Sequence, residues 1–115
     1  DQVISMPVKS LEPSWIESGK DFQKIGLPSA DLIYVRNSQN PLFSVSIEID
    51  RGMVDDRLLC TAVDVLRVSG SETKSAADLR QDIYALGSSI NIGCSTETVF
   101  IRATGLDQSF EPTMA

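Results

Sequence analysis

Residues 43–50 alternate strictly between apolar and polar side chains, and this run constrains the fold more than any other feature of the chain. Successive side chains of a β-strand point to opposite faces, so the run predicts a strand with one buried and one solvated face. We expect it to pair antiparallel with the apolar run 32–35, from which a turn-like cluster at 37–41 separates it. The inward side chains are predicted to be Phe43, Val45, Ile47 and Ile49.

Two helical patterns follow this strand. Apolar residues at helical spacing across 59–66 predict a first helix, with 55–56 (Asp-Asp) as its N-cap and first-turn charge and Gly70 as its C-terminal cap. Ser75 and Asp78 resemble a capping box, with the shorter Asp in place of the usual Glu or Gln, and Gly87 ends this second helix. A hard-cation site at 55–56 is the alternative, but it would need more oxygen ligands than lie nearby.

Two further alternating runs, 90–94 and 99–103, predict strands joined by a short hairpin at 96–97, and Asp107 is expected to cap a last helix. The order strand, strand, helix, helix, strand, strand, helix predicts an α+β fold with the helices on one face of a mostly antiparallel sheet. We interpret residues 1–30 as a linker or lead-in segment in which Trp15 and Ile16 bury apolar surface, and residues 31–115 as the folded unit.

Composition excludes several classes of function. The chain has 115 residues, no histidine and a formal net charge of −6. Without histidine it can form neither a Ser-His-Asp relay nor a histidine metal site. An acidic balance without a basic patch argues against nucleic-acid binding, and no apolar run approaches the roughly 20 residues that a membrane span needs. We interpret Cys60 and Cys94 as buried free thiols rather than as a disulfide.

The second helical pattern carries a set of short motifs. It begins with Lys74-Ser75-Ala76-Ala77-Asp78-Leu79 and ends with Tyr84-Ala85-Leu86-Gly87, and the next strand opens with Ser89-Ile90-Asn91. Together with 41–47 before them and 98–100 and 105–107 after them, these segments resemble the pitrilysin/insulinase family of zinc peptidases. Members of that family carry a Lys/Arg-Ser-Ala-x-x-Leu helix start and an Ala-Leu-Gly helix end. The resemblance covers residues 31–115.

The resemblance bears directly on catalysis. In active members the preceding helix carries His-x-x-Glu-His, in which two His bind zinc and the Glu is the general base. Counting back from Gly70 puts Thr61 and Val65 at the two His positions and Asp64 at the Glu position. The family's third ligand, a Glu, would fall beyond Ala115. The resemblance therefore implies no catalytic residue and no metal or other cofactor in this chain, with Asp64 a solvated helix carboxylate.

The family also suggests a role for such a unit. Its proteins are built from related α+β units that face each other, one holding zinc while its partner helps to enclose the peptide. We therefore expect a non-catalytic unit, truncated at about its first half, whose partner is a zinc-bearing unit in the same chain or in another subunit. The strand residues Asn91, Ile92, Gly93 and Cys94 match the family's substrate-binding edge, with an ordinary sheet strand as the alternative.

Two other functions stay open. The alternatives are a catalytically inactive scaffold subunit of the same family and a small α+β binding module unrelated to it. An exposed sheet edge, or a core left incomplete at Ala115, would favour a homodimer. The compartment also stays open, with a bacterial cell envelope or periplasm as an expectation.

Overall fold

A computed structural model describes residues 12–115, so the first eleven residues of the expected lead-in lie outside the described residues. The chain divides into two units, the first ending at Arg36 and the second running from Asn37 to Ala115. In the first unit, β1 (Gln23–Leu27) and β2 (Ala30–Tyr34) form an antiparallel hairpin. An ion pair between Lys24 Nζ and Asp31 Oδ2, 2.8 Å apart, crosses this hairpin.

Two expectations for this region are wrong. The run 32–35 lies mostly in β2, which pairs with β1 in a separate two-stranded sheet and not with the strand that follows it. β1 itself lies within the expected lead-in and was not predicted. Gly26 and the following Pro28 resemble loop residues, but the cross-strand partner supplies the hydrogen bonds that stabilise β1. Trp15 and Ile16 do not bury apolar surface, since they are 78% and 79% exposed.

The second unit contains a three-stranded antiparallel sheet of β3 (Leu42–Ile49), β4 (Ser89–Cys94) and β5 (Val99–Leu106) in the order β3-β5-β4. The predicted alternation in β3 is confirmed in its first half, where Phe43 and Val45 are half-buried and Ser44 is exposed. The prediction that Ile47 and Ile49 are buried is wrong, because both are exposed in the second half of the strand. The predicted hairpin between β4 and β5 is also confirmed, and Ser95 N donates to Thr98 O at 2.8 Å in its turn.

Three helices accompany this sheet: α1 (Leu59–Val68), α2 (Ala76–Ala85) and α3 (Phe110–Met114). The predicted cap of α2 is confirmed, because Ser75 Oγ accepts a hydrogen bond from Asp78 N at 3.2 Å. Its predicted end is confirmed as well, since Gly87 takes a φ of +64° and its N–H donates to Tyr84 O. The α+β fold is therefore confirmed, with one strand more than expected.

The predicted ends of α1 are wrong. Asp55 Oδ2 accepts from Gly52 N at 2.9 Å and Asp56 Oδ1 from Leu58 N at 2.8 Å, so both carboxylates stabilise the turn before the helix. The helix itself begins at Leu59 without a side-chain cap and ends at an extended Ser69. Gly70 does not adopt a positive φ; its small size matters because a Cβ would collide with the backbone at Lys74.

The interpretation of the cysteines is also wrong. Cys60 in α1 and Cys94 at the end of β4 form a disulfide, with their Cα atoms 5.2 Å apart. Around it the described core is small, and its buried apolar side chains are Val63, Val99 and Ala103. The last helix differs too, because Asp107 begins a 3₁₀ turn (Asp107–Ser109) before α3 and makes no side-chain cap.

Candidate functional site

The three positions that match the family's zinc motif lie on the solvent-facing side of α1. Thr61 and Val65 are one helical turn apart, so they share a face, and both are exposed. The Asp64 side chain is 73% exposed and its Oδ1 lies 3.5 Å from Arg67 Nη1. Val63, on the opposite side, is buried. The helix thus presents the motif positions outward and packs through its other face.

The chemistry available on this face is limited. Zinc in proteins is held by imidazole nitrogen, thiolate sulfur or carboxylate oxygen. The Val65 side chain has no atom with a lone pair that could bind zinc. Among the three motif positions, only Asp64 carries a carboxylate. Across residues 12–115, no group of three or more His, Cys, Asp and Glu side chains is placed to hold a metal ion.

β4, which carries the predicted substrate-binding residues, forms one edge of the sheet within the described part of the chain. Because Ser95 N–H donates to Thr98 O, the alternation of an antiparallel ladder directs the backbone groups of Asn91 and Gly93 toward β5. The backbone N–H and C=O groups of Ile92 and Cys94 point away from β5, toward the open edge. Two of the four predicted residues therefore present backbone hydrogen-bonding groups that a further strand would need.

The disulfide joins the two candidate regions. Cys60 immediately precedes Thr61, and Cys94 is the last residue of β4, so the bond holds α1 against the edge strand. Spacing along the chain gives no sign of this pairing. A signal was present in the patterns themselves, since Cys94 alternates in phase with the inward Ile90 and Ile92, and Cys60 adjoins the apolar stripe of α1.

The apolar face of the sheet carries a shallow depression of about 170 Å³. Side chains of all three strands line it, and Thr113 and Met114 of α3 close one side. Ser88 Oγ lies 2.8 Å from Thr113 Oγ1, which fixes α3 beside the sheet. Ligand pockets usually enclose about 300 Å³ or more, so this depression is better described as incomplete packing.

The polar face of the sheet carries a cation–π pair. The Arg102 guanidinium lies 4.7 Å from the centre of the Phe100 ring, and Asn91 is the cross-strand neighbour of Arg102. Near α2, the hydrogen bond and the charge of Asp82 raise the pKa of Lys74. This pair links Lys74, which precedes α2, to a side chain of that helix. Because Lys74 is solvent-exposed, we interpret the pair as a surface ion pair and not as part of a catalytic site.

Comparisons with known proteins return no match, either to a family model or to a curated protein. None of the helices within residues 12–115 is both long enough and apolar enough to span a membrane.

Proposed function

We propose that this chain is a non-catalytic unit of a zinc peptidase of the pitrilysin/insulinase type. In this role it helps to close the peptide chamber, while a zinc-bearing unit in the same chain or in another subunit hydrolyses the peptide bond. The observation that carries the proposal is the juxtaposition of α1 and β4, which the Cys60–Cys94 bond joins. The helix offers no histidine at the motif positions, whereas the strand offers an open backbone edge.

The peptide is proposed to bind by strand addition to β4. An extended chain lying beside this strand would receive and donate hydrogen bonds through the outward backbone groups of Ile92 and Cys94. Such bonds involve backbone groups and therefore suit many peptide sequences. The side chain of Ile92 faces the apolar side of the sheet and would contribute the lesser, sequence-dependent part of the affinity, whereas that of Cys94 is held in the disulfide.

Backbone hydrogen exchange tests this mode of binding. The full chain would be labelled with ¹⁵N and mixed with β-casein, which serves as an unstructured polypeptide probe. We expect the amides of Ile92 and Cys94 to exchange more slowly in the mixture, because they would donate to the bound strand. The amides of Asn91 and Gly93 serve as internal controls, since they already face β5. Unchanged exchange at Ile92 and Cys94 would contradict the proposal.

A matched pair of variants sharpens the test. Ile92→Pro removes one outward N–H but leaves the ladder to β5 intact, because the N–H of Ile92 does not face β5. Ile92→Val keeps the N–H and changes the side chain by one methylene. Binding of the probe should be lost in the first variant and retained in the second. Equal loss in both would assign the affinity to the side chain instead of to the backbone edge.

The disulfide supports a location for this activity. Disulfides between distant segments persist in oxidising compartments and are rare in reducing ones. Cys60 and Cys94 are 34 residues apart, and their bond links a helix to a sheet strand. We therefore infer that the chain works in an oxidising compartment, such as a cell envelope.

The incomplete core favours a second candidate function, that of a structural subunit. Val63, Val99 and Ala103 are the buried apolar residues of the described chain, whereas Ile47 and Ile49 on the apolar face of β3 are 44% and 45% exposed. A scaffold role would cover this face with a permanent partner. A zinc-bearing unit that becomes active with this chain favours the first candidate, and a stable but inactive complex favours the second.

A further inference from the structure

The second edge of the sheet, formed by β3, carries an interaction that is independent of the proposed peptide binding. β3 is eight residues long, and among residues 12–115 it pairs with β5 alone. Helices α1 and α2 contact β4, and α3 contacts β5. Helix α3 also reaches the apolar face of β3, where the rings of Phe110 and Phe43 pack edge-to-face with centroids 5.3 Å apart, but this contact leaves the backbone edge of β3 uncovered. A long edge strand with an apolar face tends to pair with another strand.

The direction of the backbone groups along β3 follows from its ladder. Asp107 N–H donates to Pro41 O at 3.0 Å, so Pro41 and the odd-numbered residues after it face β5. The even-numbered residues therefore direct their N–H and C=O groups outward. At Leu42 the outward oxygen already accepts a hydrogen bond from Asn37 Nδ2 at 2.9 Å. The free groups that remain belong to Ser44, Ser46 and Glu48.

We propose that β3 pairs antiparallel with β3 of a second copy of this chain, forming a continuous six-stranded sheet with Ser46 on the two-fold axis. In this register Ser46 faces Ser46 of the second copy, and Ser44 faces its Glu48. Each of these pairs exchanges both backbone hydrogen bonds. The register therefore uses the free outward groups and leaves the capped Leu42 oxygen undisturbed.

Side chains favour the same register. On the apolar face, Val45 lies opposite Ile47 and Phe43 lies opposite Ile49 of the second copy, so each half-exposed isoleucine gains an apolar neighbour. On the polar face, the two Glu48 carboxylates are separated by four residues, about 13 Å along the strand at about 3.3 Å per residue. That separation exceeds the Debye length of about 8 Å at physiological ionic strength, so their repulsion is screened. Shifting the register so that Glu48 faces its own copy would place two carboxylates side by side.

Sedimentation velocity and equilibrium on the full chain test the pairing. The expected result is a reversible dimer whose fraction rises with protein concentration, since one strand edge buries less surface than a permanent interface. A monomer at every concentration up to about 1 mM would overturn the proposal, because the dissociation constant would then lie above the millimolar range.

Opposite charges at one position test the register. Ser44→Lys places an ammonium opposite Glu48 of the second copy, twice per dimer, and should tighten the dimer about fivefold. Ser44→Glu places a carboxylate there and should weaken it by roughly the same factor. Combining Ser44→Glu with Glu48→Lys should restore the dimer. Far-ultraviolet circular dichroism and the absence of free thiols would verify that each variant is folded.

The two charge variants at Ser44 also show whether the dimer forms through another interface. If both single variants leave the dissociation constant unchanged, or shift it in the same direction, β3 does not pair in this register and the proposal fails. Ile92→Pro on the opposite edge should leave the dimer unchanged. If this variant dissociates the dimer, the interface lies at β4 and the proposed pairing of β3 is wrong. That result would leave the proposal of a zinc-bearing partner unaffected.

Discussion

Gly93 shows how one residue shapes the edge strand at the candidate site. It lies opposite Phe100 in the β4–β5 ladder, and the aromatic ring covers it so closely that an added Cβ would collide with the ring. The same ring receives the Arg102 guanidinium. The absence of a side chain at Gly93 therefore lets Phe100 pack flat against the strand that we expect to receive a peptide.

Replacing Gly93 with alanine should lower the free energy of unfolding by about 1–3 kcal/mol, because the ring must leave its position to admit the methyl group. Urea denaturation followed by circular dichroism measures this change. Gly26→Ala is the matched control, since a Cβ there meets no atom within 4 Å. Adding Phe100→Leu to Gly93→Ala should recover part of the loss. A Gly93→Ala protein as stable as the Gly26→Ala protein would contradict this account of the packing.

The exposed face of α1 gives a second prediction at the residue scale. Thr61 and Val65 lack zinc-binding atoms of the family's kind, so zinc should not raise the melting temperature of the natural chain. The combined change Thr61→His, Asp64→Glu and Val65→His should create a zinc site on that open face. Zinc at about ten times its dissociation constant would then stabilise the variant by about 1.4 kcal/mol.

Differential scanning fluorimetry with zinc or with a chelator distinguishes these outcomes. Thr61→His alone is the control, because one imidazole holds zinc weakly. A zinc-dependent shift of equal size in the natural chain and in the triple variant would mean that zinc binds elsewhere, and would contradict the placement of the motif on this face.

At the scale of elements, the disulfide is the main constraint that joins α1 to the sheet. Closing a loop of 34 residues removes conformational entropy from the unfolded chain, and we expect the bond to contribute about 3–4 kcal/mol. With so few buried apolar residues, the second unit depends on this contribution more than a well-packed domain would.

Reduction should therefore shift the urea midpoint strongly downward. The measurement compares the oxidised chain with the same chain in dithiothreitol. A variant with both Cys60→Ala and Cys94→Ala is the control, since its midpoint should be low and insensitive to the reductant. An unchanged midpoint after complete reduction would show that packing alone holds α1 in place.

Local signals predicted some elements well. The cap at Ser75 and the glycine at Gly87 each act within a few residues, and the structure confirms both. The alternation in β3 is confirmed at Phe43 and Val45 but not at Ile47, which is exposed. Features that depend on distant partners were missed. β1 is stabilised by its pairing with β2, and the Cys60–Cys94 bond is formed by segments that sequence spacing does not bring together.

The candidate site, too, could be predicted from the sequence only in part. Helical periodicity was enough to group Thr61, Asp64 and Val65 on one face of α1. Whether β4 lies at an edge depends on the order of the strands, which the alternation of Ile90 and Ile92 does not encode. The direction of its backbone groups likewise follows from the register with β5 and not from its own sequence.

At the scale of the whole molecule, the described chain has two features that call for partners. One is the open edge of β4, proposed to receive a peptide, and the other is the open edge of β3, proposed to receive a second copy. These are the two opposite edges of one three-stranded sheet, so one molecule can bind a peptide at β4 and a second copy at β3 at the same time. Neither interaction would supply the zinc chemistry, which we propose for another unit.

The decisive measurement is peptide hydrolysis by this chain mixed with a zinc-bearing unit encoded in the same gene or beside it. We predict that such a unit carries His-x-x-Glu-His and that this chain alone hydrolyses no peptide. The two together should hydrolyse peptide faster than the zinc-bearing unit alone, and a chelator should abolish the activity. The absence of such a unit, or a rate that this chain does not raise, would contradict the account.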